Sequence, residues 1–201
     1  AQPPSDKVEF LSSLLANYME DRDSLHVREY YARFLSDYAD SPAAFTIKMM
    51  YNLDSKNAVG KRCPSFSFRT MDDSTQFITD AALHGKVAIL HFWAPELDHY
   101  INSLEGMYAQ YRKDGLEIVS FCIGGTASQA AEYRKRGHPM KWKNARIRNT
   151  WDHDVMDVFD VAGAPYIILI DRDGIILQSS ATFYLQEMFA LEVRAAVLKG
   201  K

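Results

Sequence analysis

The run Val87-Ala88-Ile89-Leu90-His91-Phe92-Trp93-Ala94-Pro95 constrains this chain more than any other stretch. Val87 to Phe92 is almost continuously apolar and β-rich. It lacks the alternation of a strand with one wet face, so it reads as a strand buried on both faces of a sheet. Pro95 then fixes φ at a value suited to the first turn of a helix. The expected arrangement is a central strand feeding a helix from Pro95 to Lys113, with Leu97, Ile101, Leu104, Met107, Tyr108 and Tyr111 on its apolar face. Leu116 to Ile123 is a second buried strand, ended by Gly124-Gly125. Strand, helix and strand together make a right-handed, parallel βαβ unit.

The rest of the C-terminal two thirds falls in around that unit. Ser65 to Arg69 and Gln76 to Ile78 read as two short strands joined by the polar turn Asp72-Asp73-Ser74, and Asp80 to His84 as a short helical connection. Thr126 is placed to cap a helix that stops at Gly137, and Ala145 to Ile147 is a short strand. Asp152 to Val161 is a helix with acids in its first turn, as the macrodipole favours. Two apolar runs separated by Asp171-Arg172-Asp173-Gly174 form a hairpin, with Pro165 at its entry where no ladder donor is required. Tyr184 to Leu198 is an amphipathic closing helix.

Before Val59 the text is helical. Val8, Leu11, Leu14, Leu15 and Tyr18 recur on one face, then Val27, Tyr30, Tyr31, Phe34, Leu35 and Tyr38, then Phe45, Ile47, Met49, Met50 and Leu53 after Pro42. Such stripes are the buried faces of packed helices. Ser55 to Lys61 is polar with a Gly and reads as a linker, dividing the chain into a helical extension, 1–57, and an α/β domain, 58–201.

Composition narrows the function classes. With 201 residues, of which 47% are hydrophobic, the chain can bury one main core with a small appendage. A net charge of -3, and basic clusters at 134–136 and 141–148 that are short or interrupted, argue against nucleic-acid binding. No apolar run reaches the roughly 18 residues of a membrane span. The opening Ala1-Gln2-Pro3-Pro4 reads as an N-terminus left by signal-peptide removal, hence export. Cys63 and Cys122 are too few for a zinc site or a disulfide framework and read as buried thiols.

Gly60, Pro64, Phe66, Gly85-Lys86, Phe92-Trp93-Ala94, Leu116 to Val119, Pro165 and Leu169 to Gly174 carry a resemblance in their order and spacing. The chain resembles the thioredoxin-like family, closest to the exported thiol-disulfide oxidoreductases of the cytochrome c maturation type. The resemblance implies a thioredoxin-like fold: a central mixed sheet flanked by helices, with a β-hairpin at its N-terminal side. It also implies that Ala164-Pro165 is cis and lies against the turn after Trp93. In the family that turn carries a Cys-x-x-Cys. Here the two cysteine positions fall on Leu97 and Tyr100, so the positions of a degenerate site are Trp93, Pro95, Glu96, Leu97, Asp98, His99, Tyr100, Pro165 and Tyr166.

Disulfide exchange needs a low-pKa thiolate and a second thiol to resolve the mixed disulfide, and Leu97 and Tyr100 provide neither. No catalytic residue is therefore assigned. The expected protein is a redox-inactive thioredoxin-like module of the periplasm or cell envelope, without cofactor, that binds a peptide or protein at a groove by Leu97, Tyr100 and Pro165. Leu97 and Tyr100, three apart on the expected helix, would share a face and form an apolar patch with Trp93, Pro165 and Tyr166. Two alternatives stay open: residual oxidoreductase chemistry at Cys63 or Cys122, and metal binding by Glu96, Asp98 and His99 with His91. The ligand spacing of the second matches no familiar scheme, and His91 reads better as a hydrogen-bonded core residue.

Overall fold

The computed structural model describes residues 24–39, 54–95, 97, 100–146, 155–180 and 186–199, together with 8–10, 13, 14, 17, 41, 42 and 44. Helix α1 (Ser24–Tyr38) precedes a two-stranded antiparallel hairpin of β1 (Ser67–Arg69) and β2 (Phe77–Thr79), which leads through a 3-10 turn, Asp80–Leu83, into β3 (Val87–Trp93). Then follow α2 (Ile101–Tyr111), β4 (Leu116–Cys122), α3 (Ala127–Lys135), β5 (Lys143–Arg146), α4 (Val155–Phe159), β6 (Tyr166–Ile170), β7 (Ile176–Ser180) and α5 (Gln186–Leu198). The described residues at 8–10, 13, 14, 17, 42 and 44 are helical as well.

Five strands form one mixed sheet in the order β5-β4-β3-β6-β7. β3 pairs parallel with β4 and antiparallel with β6, so the βαβ unit and the later hairpin meet on the strand that reads as central. All seven residues of β3 are buried, which explains a text that is apolar but for His91. Its side chains alternate between two cores. Val87, Ile89 and Trp93 pack with Ile101, Leu104 and Met107 of α2 and with Phe189, Val193 and Val197 of α5. Ala88, Leu90 and Phe92 pack on the other face with Phe66, Ile78, Phe121 and Phe159. Full burial of each large apolar side chain contributes about 1.5–3 kcal/mol, so the two-faced strand is the main anchor of the fold.

Three features differ from the sequence reading. The segment from Ser55 is no loose linker: Ser55, Asn57 and Ala58 are buried. The Asp160 carboxylate accepts from the Lys56 backbone N–H at 2.7 Å and the Ser55 hydroxyl at 3.0 Å, while the Asn57 side-chain amide donates to the Asp160 carbonyl. Polar residues that looked like linker are the ones making these bonds. Second, α2 begins at Ile101 rather than Pro95 and gives way to a 3-10 turn at Arg112–Asp114. A Pro-compatible φ suits a tight turn as well as a helix, and the Leu97 N–H donates to the Ala94 carbonyl at 3.0 Å to close such a turn. Third, α4 is shorter than the expected 152–161. Of that range, 152–154 lie outside the described residues.

Candidate functional site

The turn after β3 leaves the sheet at the C-terminal ends of the parallel pair β3 and β4, where open α/β sheets place their crevices. Phe92 pairs with Tyr166 across the β3–β6 ladder. Trp93 and Pro165 follow and precede that pair in sequence, and the Ala164–Pro165 bond is cis. Pro165 and Tyr166 are both half-buried. The Tyr166 hydroxyl lies 2.8 Å from Ser179 Oγ, and its ring meets Phe92 edge-on at 6.2 Å.

On the other side, loop 123–126 buttresses the turn. The Ile123 N–H donates to the Trp93 carbonyl at 2.9 Å. A Cβ built on Gly124 would stand 2.8 Å from Ala94 Cβ, and one on Gly125 3.2 Å from Pro95 Cδ. Gly125 also has φ +74, a conformation L side chains rarely adopt. The loop then enters α3 through a capping box, Thr126 Oγ1 accepting from the Gln129 N–H and Gln129 Oε1 from the Thr126 N–H. The sequence reading took Gly124-Gly125 only as the end of a strand. Its contact partners are 30 residues earlier in the chain, and no local signal announces them.

Leu97 and Tyr100 part company. Leu97 is 47% exposed whereas Tyr100 is 6% exposed, and Trp93 is fully buried with its ring 5.4 Å from that of Tyr133. Burial pushes the Tyr100 phenol above its ordinary pKa, which keeps it neutral. Tyr100 sits at the N-cap with αR backbone, and its carbonyl accepts the first helical bond from the Leu104 N–H. Leu97, Tyr100 and Trp93 therefore do not share an exposed patch: among the described residues of the turn Leu97 is exposed, Pro95 half-buried and Tyr100 buried. Glu96, Asp98 and His99 lie outside the described residues.

His91 occupies the core. Its Nδ1 lies 3.1 Å from Ser120 Oγ, which also accepts from the Trp142 indole N–H at 2.8 Å. The network uses His91 as a core residue, as the sequence reading expected. Among the described residues no three His, Cys, Asp or Glu side chains group as a metal site.

Neither cysteine is in a disulfide. Cys122 is buried in β4, its Sγ 3.3 Å from the Gly124 carbonyl. Cys63 is half-buried rather than buried, flanking the bridge between Arg62 and Ile175. Burial, with the Asp80 carboxylate adding to it, pushes the Cys63 thiol up to about 12. A thiol in that condition is neutral at physiological pH and a poor nucleophile.

Residues 85–176 match the family model described as thioredoxin-like. A Chlorobium tepidum structure assigned as a thiol:disulfide interchange protein, DsbE, superposes with a TM-score of 0.60 at 22% identity, covering 69% of this chain and 97% of that one. A secreted Mycobacterium tuberculosis disulfide oxidoreductase homologous to E. coli DsbE gives 0.54 at 18% identity, covering 65% and 95%. A thiol-disulfide oxidoreductase from Bacteroides fragilis gives 0.56 at 16%, covering 66% and 98%. A comparison with curated protein sequences gives no match. Among the described residues no helix is long and apolar enough to cross a membrane. The family match over residues 85–176, the β5-β4-β3-β6-β7 order and the cis Ala164–Pro165 bond agree, and this part of the chain is a thioredoxin-like domain with the thioredoxin-like fold.

Proposed function

We propose that this protein is a thioredoxin-like module that has lost disulfide exchange at the family's turn and works as an exported binding module. The observation that carries the reading is Leu97 and Tyr100 at the two thiol positions, in a chain whose only cysteines are Cys63 and Cys122. Exchange requires a thiolate able to attack and a second thiol able to resolve. The buried Cys122 and the neutral Cys63 thiol leave no substitute pair, which disfavours the residual-oxidoreductase alternative.

The binding role is supported by an exposed Leu97 in the turn after β3 and by the half-buried Pro165 and Tyr166 at the start of β6, the strand that pairs with β3. An extended peptide has a hydrophobic contact there and a sheet end to lie across. The likeness to a secreted M. tuberculosis protein supports export.

The test is reduction of insulin by dithiothreitol together with thiol titration of the native protein. The expected outcome is no acceleration over buffer and slow labelling of both cysteines. A rate comparable with an active thioredoxin, or rapid labelling of Cys63, overturns the reading.

A further inference from the structure

A cleft runs along the C-terminal half of α2, from Glu105 to Arg112, about 8 to 18 Å along the helix axis from Tyr100. Its volume is about 320 Å³, at the lower end of small-molecule sites. Tyr108 and Trp142, in edge-on contact with ring centroids 5.3 Å apart, supply its aromatic part. Arg112 and Lys141 supply two positive charges, and Glu105 one negative charge.

The charges are not equally available. Glu105 Oε1 accepts from the Met140 N–H at 3.3 Å, so this carboxylate is committed to the loop wall. Among the described residues Arg112 and Lys141 make no ion pair and no side-chain hydrogen bond, whereas Arg134 and Arg136 elsewhere on the surface are paired with Asp72 and Glu132. The cleft thus presents a guanidinium and an ammonium with their donors unspent, next to aromatic rings.

The loop that carries Lys141 and Trp142 is held in an unfavourable conformation. Met140, fully buried and not a glycine, has φ +45. The Trp142 N–H folds back onto the Met140 carbonyl at 2.7 Å, and the buried Asn144 side-chain amide donates to both the Met140 and Trp142 carbonyls. Such strain costs of order 1–3 kcal/mol and persists where surrounding structure enforces it, characteristically at ligand sites. Here its effect is to seat the Trp142 ring in the core while leaving Lys141 at the rim.

We propose that this cleft binds a small planar aromatic carboxylate, its ring against Tyr108 and Trp142 and its carboxylate held by Arg112 and Lys141. A guanidinium binds a carboxylate with two parallel N–H bonds, and the ammonium adds a point charge. The site is independent of the turn at Leu97, so it stands whatever that turn binds.

The experiment titrates ¹⁵N-labelled full-length protein with benzoate and follows the Trp142 indole N–H resonance, assigned through Trp142→Phe. Benzamide, which keeps the ring but not the charge, and acetate, which keeps the charge but not the ring, are run beside it. The expected result is a saturable benzoate shift, at least roughly tenfold weaker with benzamide and acetate and in the Arg112→Gln/Lys141→Gln double variant. Both substitutions lie at exposed positions, and an otherwise unchanged spectrum shows that the variant remains folded. No saturable shift with benzoate, equal binding of benzamide, or undiminished binding by the folded double variant overturns the proposal.

Discussion

Leu97 and Tyr100, which the family resemblance sets at the thiol positions of the turn, differ in their surroundings as much as in their side chains. Tyr100 is packed in the core shared with Trp93, Ile101 and Leu104, while Leu97 stands in solvent. The two truncations therefore separate. Tyr100→Ala removes a large buried ring and is expected to cost about 3–5 kcal/mol, as for other large aromatic deletions. Leu97→Ala, at an exposed position, is expected to cost no more than about 1 kcal/mol. Urea unfolding of the two variants checks the ranking. Equal losses would mean that Tyr100 is not packed as described, and a loss confined to Leu97 would mean the turn is inverted.

At the scale of elements, the strands were legible and the turn between β3 and α2 was not. β3 is buried on both faces, so its residues form one apolar run that no helix of that length would bury without periodicity. The Thr126 cap and the Asp171 to Gly174 turn are local chemistry, so they could be read residue by residue. The start of α2 could not, because Pro95 satisfies a tight turn and a helix equally and because helical spacing alone places Leu97 on a face it does not share. The role of Gly124 was invisible for a different reason: it depends on the approach of a strand from elsewhere in the chain. That approach makes a prediction. Gly124→Ala would put a Cβ 2.8 Å from Ala94 Cβ, a buried methyl that has no flexible end to swing aside. The loop and the turn must separate, and overpacking of this kind costs typically about 1–3 kcal/mol. Gly106→Ala, where nothing lies within 4 Å and the helix gains a better former, is the control and is expected to be neutral or slightly stabilising. Thermal melts of the two variants test the contrast, and a Gly124→Ala protein as stable as the parent would show that the two loops do not meet.

For the whole molecule, a chain of polar contacts ties α1 and the segment after it to the end of α4. Burial pushes the Tyr31 phenol of α1 up, and Asp54, which it touches, raises it further. Directly after Asp54, the segment Ser55-Lys56-Asn57 is bonded to Asp160, which ends α4 with φ +50 and so turns its carboxylate back onto an entering chain. Segments about 100 residues apart in sequence are thereby joined, by the Asp160 carboxylate and by the backbone carbonyls of Asp157 and Asp160. The Lys56 backbone N–H is the main cause that holds the Asp160 carboxyl below its ordinary pKa; the Ser55 hydroxyl and the Lys56 charge add to it, and partial burial opposes it. A carboxylate whose folded pKa is depressed contributes its full stabilisation above the unfolded value, about 4 for Asp. As the pH falls below that value the unfolded chain takes up the proton first, and the contribution fades until the pH has passed the lower, folded value. Asp160→Asn keeps the shape and tolerates the positive φ but removes the charge. It is therefore expected to be less stable than the parent at pH 7, with the gap between the two urea midpoints narrowing from pH 5 to pH 3. The other carboxylates titrate in both proteins, so the difference isolates this one. A gap that stays constant through that range would mean that the Asp160 charge does not hold segment 55–56 to the end of α4.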